Sequence, residues 1–440
     1  MSRRNKQLFI SIIAICTLVV GGWVARLVFA AEVAIDSAVF DATDAFTADT
    51  IVFVSDTQGY AFYEDLATTL VYATTTDGGT TWGVPVAIST VNSVCCPDVW
   101  YDQWTPGDTT GRKIHITWID ATLDDIMYRY LDTSNDTFGA AAVTAIAPAA
   151  ALNSTGVDMG PAITKATDND VFIVSTIGAG GDELTASSTD NGVTWKTAAM
   201  KYQGVVWLNL DSELDLAPLA NGNIMLAWND GADLQYRNYT DSTTLWDTTD
   251  TVIDADFIKE STNVYAQPWA LVSNATTSDV FAIGIPDPDS ATAGLQEIRV
   301  YRYVTSFARQ SNVATATPEL VDAHMGIDAN TGTLYAVYTR GGTAGITTDI
   351  FYKTSTNQGV SWGAEIQLNT TQDDLRHVSV NAWSNERLYV MWANDDTNVI
   401  SGNTVVDLAP PSVPAVESKS PRVTISSGQF IIETGQVILQ

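Results

Sequence analysis

Apolar residues in this chain fall into short runs, most of them closing on an aromatic with a polar residue two places further on. The runs read AFYED, HITWID, MLAWND, YAVYTR and YVMWAN, and their aromatics are Tyr63, Trp118, Trp228, Tyr338 and Trp392. Two weaker members, FIVST and FAIGI, put Ser175 and Gly284 in register. The seven marks lie 53 to 57 residues apart in succession. Each period predicts four short strands, clearest in the sixth: AHMGIDA, TLYAVYT, TDIFYKTS and AEIQLN. They are rich in Val, Ile and aromatics, and turns of Gly, Asn, Asp and Thr separate them. No stretch beyond the first thirty residues carries a convincing helical period. Four-stranded units at a fixed period predict an all-β propeller, which hides sheet edges by radial repetition. Seven blades are expected, with six as the alternative if a weak unit is miscounted. The seventh unit, from about Leu375 to Val406, has only three strands, and EVAIDSAVF near the N-terminus is expected to supply the fourth and close the ring.

A tight motif recurs between the third and fourth strands: TTTDGGTTWG (74–83), SSTDNGVTWK (187–196) and TSTNQGVSWG (354–363). All three fit Ser/Thr-x-Asp/Asn-x-Gly-x-Ser/Thr-Trp. The Asp or Asn accepts backbone N–H bonds within a turn, the Gly takes the left-handed conformation, and the Trp folds back over the blade. DTSNDTF and NYTDSTTLW, in the second and fourth units, look like eroded copies. The motif resembles the Asp-box, or BNR, repeat of the sialidase superfamily, over about residues 33–408. That resemblance implies a structural role for Asp77, Gly79, Trp82, Asp190, Gly192, Trp195, Asn357, Gly359 and Trp362. It also implies a functional face at the opposite end of the propeller.

Three further segments flank the propeller (31–408). Residues 1–30 combine a basic start, an apolar run and a small-residue cleavage site after Ala30, an export signal if cleaved and a membrane anchor if not. Residues 409–421 are a Pro-rich linker. Residues 422–440 form a β tail of seven-residue near-repeats, SPRVTIS, SGQFIIE and TGQVILQ, read as a small β stack or a plain hairpin. Export makes the protein secreted or displayed at the cell surface.

Charge narrows the partners. The chain has a formal net charge of −30, and loss of residues 1–30 leaves 51 acids against 17 Lys and Arg, a net of −34. Such a surface repels nucleic acid and anionic lipid. Membrane contact is expected only through an uncleaved N-terminal segment. Only Cys95 and Cys96 remain of the cysteines, so this is no disulfide scaffold. Oligomeric state is not legible.

On the face opposite the turn motif, second strands end at Asp65, Asp120, Asp230, Arg340 and Asn394. A ring of carboxylates there suits Ca²⁺ or sugar hydroxyls, and equally the capping of strand ends. No cofactor is required by any motif. The starts of the first strands align as VCCPDVW, DMGPAIT, DLAPLAN, YAQPWAL, DAHMGID and LRHVSVN. One column then reads Cys96, Gly160, Ala217, Gln267, His324 and His377, with Cys95 and Arg376 beside it and Asp158, Asp215 and Asp322 two places before it. This level is the mouth of the central channel. Gln267, His324, Arg376 and His377 are ligand-binding candidates there. Cys95, Cys96, His324 and His377 are metal candidates, unless the adjacent cysteines form a vicinal disulfide.

The superfamily's sialidases clamp a substrate carboxylate with three arginines, because bidentate pairing supplies the geometry. A Phe/Tyr-Arg-Ile-Pro segment normally opens the first blade. This chain has no such segment and no Arg between Arg26 and Arg112. No catalytic role therefore transfers by motif. Asp65, Asp120, Glu213, Asp230, Arg340 and Arg376 stand as catalytic candidates by position alone. Two functions remain: a glycan- or surface-ligand-binding module, or an exo-acting glycoside hydrolase of sialidase type. Trp100, Trp104 and Trp269 are candidates for stacking on sugar.

Overall fold

A computed structural model describes residues 32–37, 39, 49–65, 69–89, 94–139, 141–147, 160–176, 183–196, 214–219, 221–229, 233–243, 245–257, 269–277, 279–286, 296–316, 320–341, 348–370, 373, 375–384, 387–394, 396–407, 422–426 and 429–433. The chain divides into two compact units, residues 1–408 and 409–440.

The first unit is a seven-bladed β-propeller of antiparallel sheets. From the axis outward, blade 1 runs Ile51–Phe53, Gly59–Asp65, Thr69–Thr75 and Val86–Ser89. Blade 2 begins Val94–Tyr101, Lys113–Asp120 and Asp125–Asp132, with Val143–Ile146 outermost. Blade 3 has three strands among the described residues, Ala162–Lys165, Val171–Thr176 and Glu183–Ser188. The inner three strands of blade 4 are Leu214–Pro218, Ile224–Asn229 and Leu234–Thr240, and those of blade 5 are Trp269–Ser273, Val280–Gly284 and Gln296–Tyr303. Blade 6 runs Leu320–Asp328, Leu334–Gly341, Thr348–Ser355 and Ile366–Gln367. Blade 7 takes Leu375–Val380, Arg387–Asn394 and Val399–Asp407 from the C-terminal side, and its outer strand is Val33–Asp36. Ala34 pairs with Ser401, so strands from the two ends of the unit are hydrogen-bonded together in blade 7 and close the ring.

All seven marks of the sequence repeat sit on second strands. Tyr63, Trp118, Trp228, Tyr338 and Trp392 are each no more than 2 % exposed. Burial of an aromatic of 150–250 Å² is worth roughly 4–6 kcal/mol at about 25 cal/mol per Å². Large rings on every second strand therefore supply the packing between blades.

The three turn motifs share one hydrogen-bond pattern. Thr75 Oγ1 donates to Asp77 Oδ1 (2.9 Å) and accepts Gly79 N (2.9 Å), while Asp77 Oδ1 accepts Thr81 N (2.9 Å). Asp190 accepts Thr194 N at 2.7 Å, and Asn357 accepts Ser361 N at 2.9 Å. Asn357 Nδ2 donates to Ser361 Oγ, where the aspartates accept from a threonine hydroxyl. Gly79, Gly192 and Gly359 lie at φ of +83°, +83° and +86°. Each tryptophan reaches back to the preceding blade. Trp82 Nε1 donates to Tyr389 Oη (3.3 Å), Trp195 lies edge-on to Tyr128 (4.9 Å), and Trp362 Nε1 donates to Ser311 O (3.0 Å). The turn is thus both a hairpin closure and a clamp between neighbours. In the eroded second copy Phe138 keeps the clamp by meeting Tyr72 of blade 1 edge-on at 5.5 Å.

In the second unit, Arg422–Ser426 and Gln429–Glu433 pair as an antiparallel hairpin. The third near-repeat, the linker and the N-terminal thirty residues lie outside the described residues. Among the described residues no helix is long and apolar enough to cross a membrane.

Candidate functional site

Each inner strand starts at the end of the propeller opposite the clamped turns. Among the described residues the axial edge has no sheet partner except in blade 6, whose inner strand pairs in parallel with Trp383–Ser384, so most of its N–H groups must be satisfied another way. Side chains of the neighbouring blade do this. Asp98 Oδ2 of blade 2 accepts Ile163 N of blade 3 (2.8 Å), and Asp215 Oδ2 of blade 4 accepts Leu271 N of blade 5 (2.6 Å). Asp322 Oδ2 of blade 6 accepts His377 N of blade 7 (2.9 Å), and Ser379 Oγ of blade 7 accepts Thr50 N of blade 1 (3.0 Å). The inner-strand carboxylates are therefore backbone caps that tie one blade to the next.

Strand register orders these residues into layers. Asp98, Ala162, Asp215, Ala270, His324 and Ser379 each pair with the residue preceding a repeat mark: Thr117, Val174, Ala227, Ile283, Val337 and Met391. Thr50 joins them by accepting Phe62 N. Two residues nearer the mouth sit Cys96, Gly160, Asp322 and His377. The single column predicted for Cys96, His324 and His377 is thus split: His324 and Ala217 lie deeper than that alignment placed them. Register shifts between Cys95 and Asp98, Leu320 and Ala323, and Arg376 and Ser379 insert extra residues into the inner strands of blades 2, 6 and 7. Cys96 (φ +60°) and His377 (φ +52°) occupy two of these bulges in left-handed conformation, which aligning on proline cannot detect.

Cys95 and Cys96 are joined to each other as a vicinal disulfide, so both sulfurs are used and neither is a thiolate for a metal. His324, 2 % exposed, places Nε2 3.3 Å from Asp49 Oδ1. Asp49, Asp98 and Asp215 share one field near the axis. Burial, then the Asp49 and Asp215 charges, pushes the Asp98 carboxyl well above the usual carboxylate range, and burial with Asp49 does the same to Asp215. Among the described residues, the carboxylates close enough together to share an ion are Asp168, Asp170 and Asp241, which lie at the opposite end, among the clamped turns.

The second-strand ends are also capped. Asp120 Oδ1 accepts Thr122 N (3.0 Å) and Leu123 N (3.1 Å), closing its own loop. Asn394 accepts Thr397 N at 3.1 Å and donates to Asp373 Oδ2 at 2.8 Å. Arg340 pairs with Glu365 (2.8 Å) and lies over the Phe351 ring (4.2 Å). Asp65 ends its strand half-buried. Glu213, Asp230 and Gln267 lie outside the described residues, and of Arg376 only the strand position is described. The proposed sugar-stacking tryptophans are core residues instead. Trp100, Trp104 and Trp269 are 4 %, 1 % and 3 % exposed, and Trp100 meets Trp104 edge-on at 5.7 Å.

One group went unnoticed in the sequence. His115, fully buried on the second strand of blade 2, takes Tyr128 Oη at Nδ1 (2.6 Å) and faces Asp102 Oδ1 with Nε2 (3.1 Å). Lys165 of blade 3 donates to Asp102 (2.5 Å) and to Asp108 (3.0 Å). Burial lowers the His115 pKa, and His115 and Lys165 together hold the Asp102 carboxyl well below its ordinary value despite burial. No spacing motif links these residues, because one loop and strands of two blades bring them together.

No protein-family model and no curated protein matches the chain. Solved structures do. An ulvan lyase, a polysaccharide lyase bound to -[GlcA(1-4)Rha3S]-, is 12 % identical with a TM-score of 0.52, over 86 % of this chain and 95 % of that one. A Hadza microbial sialidase is 11 % identical with a TM-score of 0.41, over 78 % and 73 %. The Aleuria aurantia lectin is 11 % identical with a TM-score of 0.44, over 74 % and 97 %. At such identities the likeness is one of fold: the chain is a seven-bladed β-propeller, the fold that the resemblance to the sialidase superfamily implies.

Proposed function

We propose that this is an exported propeller that binds an extracellular glycan or surface ligand on the face opposite the clamped turns, without sialidase chemistry. The observation that carries the reading is the engagement of five of its arginines. Arg237 pairs with Asp250, Arg299 with Asp254 and Glu297, Arg302 with Asp279, and Arg340 with Glu365. Arg387 donates to the carbonyls of Asp56 and Gly78. Each of these guanidinium groups is committed within or between blades, whereas a carboxylate clamp needs several converging on one point. The ulvan lyase of like fold is seen bound to -[GlcA(1-4)Rha3S]-, which supports a glycan as the ligand class. Ca²⁺ is the ion that an acidic face of this kind suits.

An exo-acting glycoside hydrolase is the alternative. In its favour, Asp98 and Asp215 are held toward the protonated form that a general acid needs. Against it, both carboxyls already accept backbone N–H groups deep in the ring. Purified residues 31–440, tested with Ca²⁺ and again with EDTA, should bind members of a glycan array and release nothing from a fluorogenic sialoside. Release abolished by Arg376→Ala would make the chain an exo-sialidase and overturn the proposal.

A further inference from the structure

A cavity of about 240 Å³ opens at the other axial end, among the turns that follow the inner strands of blades 1, 2, 5, 6 and 7. Phe53, Tyr101, Gln103, Thr109, Thr276 and Asn330 line it, with Asp108 in its wall. We propose that this cavity is a second binding site, for one neutral polyhydroxylated ring such as a monosaccharide or a terminal sugar residue. The site does not depend on the ligand of the opposite face.

Size comes first. Pockets for drug-sized ligands span roughly 300–1,000 Å³, so this one suits a single ring rather than an oligomer. Lining chemistry comes second. Planar amides and hydroxyls offer donors and acceptors together, which is what vicinal hydroxyls need.

Preorganisation comes third. Asp108 is not a loose surface acid. Its Oδ1 accepts Thr110 N (3.1 Å) and Gly111 N (2.7 Å), and its Oδ2 accepts Lys165 Nζ (3.0 Å). Lys165 is 2 % exposed and is anchored in turn on Asp102, which faces His115. A wall residue held this way keeps its geometry with or without ligand. Because Lys165 and two backbone N–H groups hold it, the Asp108 carboxylate presents a fixed hydrogen-bond acceptor.

The test uses purified residues 31–440 and saturation-transfer NMR with D-galactose, L-rhamnose, D-xylose and, as the cationic alternative, choline. At least one sugar should bind saturably. Thr276→Trp, at an exposed rim position, should weaken that binding tenfold or more while glycan-array binding by the opposite face is unchanged. Asn330→Leu should weaken it without filling the cavity. Absence of binding by all three sugars, binding of choline in their place, or sugar binding unmoved by both variants would each overturn the proposal. Failure of array binding alone would touch only the reading of the opposite face.

Discussion

Gly192→Ala isolates what the clamped turn contributes to the ring. Gly192 lies at φ +83°, and an added Cβ would sit 2.0 Å from Tyr128 Oη and 2.3 Å from its Cζ. The left-handed backbone alone costs an L-residue about 1–2 kcal/mol. The contact adds more, because Tyr128 cannot swing away. It is 1 % exposed, bonded to His115 Nδ1 at 2.6 Å and packed edge-on against Trp195. Forcing it aside costs about 1–3 kcal/mol of packing, and stranding the buried imidazole nitrogen about as much again. The expected loss is about 3–8 kcal/mol. Gly332 provides the control: its φ is +69°, and nothing lies within 4 Å of an added Cβ. Gly332→Ala should therefore lose only the backbone share of about 1–2 kcal/mol. Urea unfolding of both variants, followed by tryptophan fluorescence and compared at equal m, separates the two contributions. Losses that agree within about 0.5 kcal/mol would refute the inter-blade clamp and leave the turn a local hairpin device.

Lys165→Met should destabilise by about 3–5 kcal/mol, because it leaves Asp102 buried beside a neutral histidine, and the added change Asp102→Asn should recover part of that loss. The folded pKa of Asp98 is raised, so its stabilising contribution is complete below the unfolded value of about 3.9 and is lost as pH rises through the folded value. Unfolding free energy measured from pH 4 to 9 should therefore fall less steeply in Asp98→Asn than in the parent; an unchanged slope would contradict the assignment. Asp170, raised to about 6 by burial and by Asp168 and Asp241, has the same sign, so Asp170→Asn should flatten the profile between about pH 4 and 6. Residues 31–440 isolated without reductant should titrate no free thiol, and two after denaturation and reduction, if Cys95 and Cys96 are joined as described.

How much was legible differs between scaffold and site. Blade number, the second-strand aromatics and the closing strand Val33–Asp36 were all readable, because each rests on local alternation or on a repeat that the chain displays seven times. The turn pattern was equally local, since Asp77, Asp190 and Asn357 bond within four residues of themselves. The inner-strand column failed at His324, where bulges change register without leaving a residue signature. Trp100, Trp104 and Trp269 misled for a related reason: an aromatic that stacks on a sugar and one that fills a core look alike until exposure is known.

Sequence alone therefore determined what short-range chemistry controls, strand period, turn closure and the count of blades, together with the net negative charge. Tertiary structure decided what depends on which blades become neighbours. Asp98, Asp215 and Asp322 became caps for the backbone of the next blade, and His115, Asp102 and Lys165 were gathered into one buried network. The reason is physical: a propeller's local repeats specify each sheet, but the N–H groups at the axial edges and the charges between blades find their partners only when the ring closes.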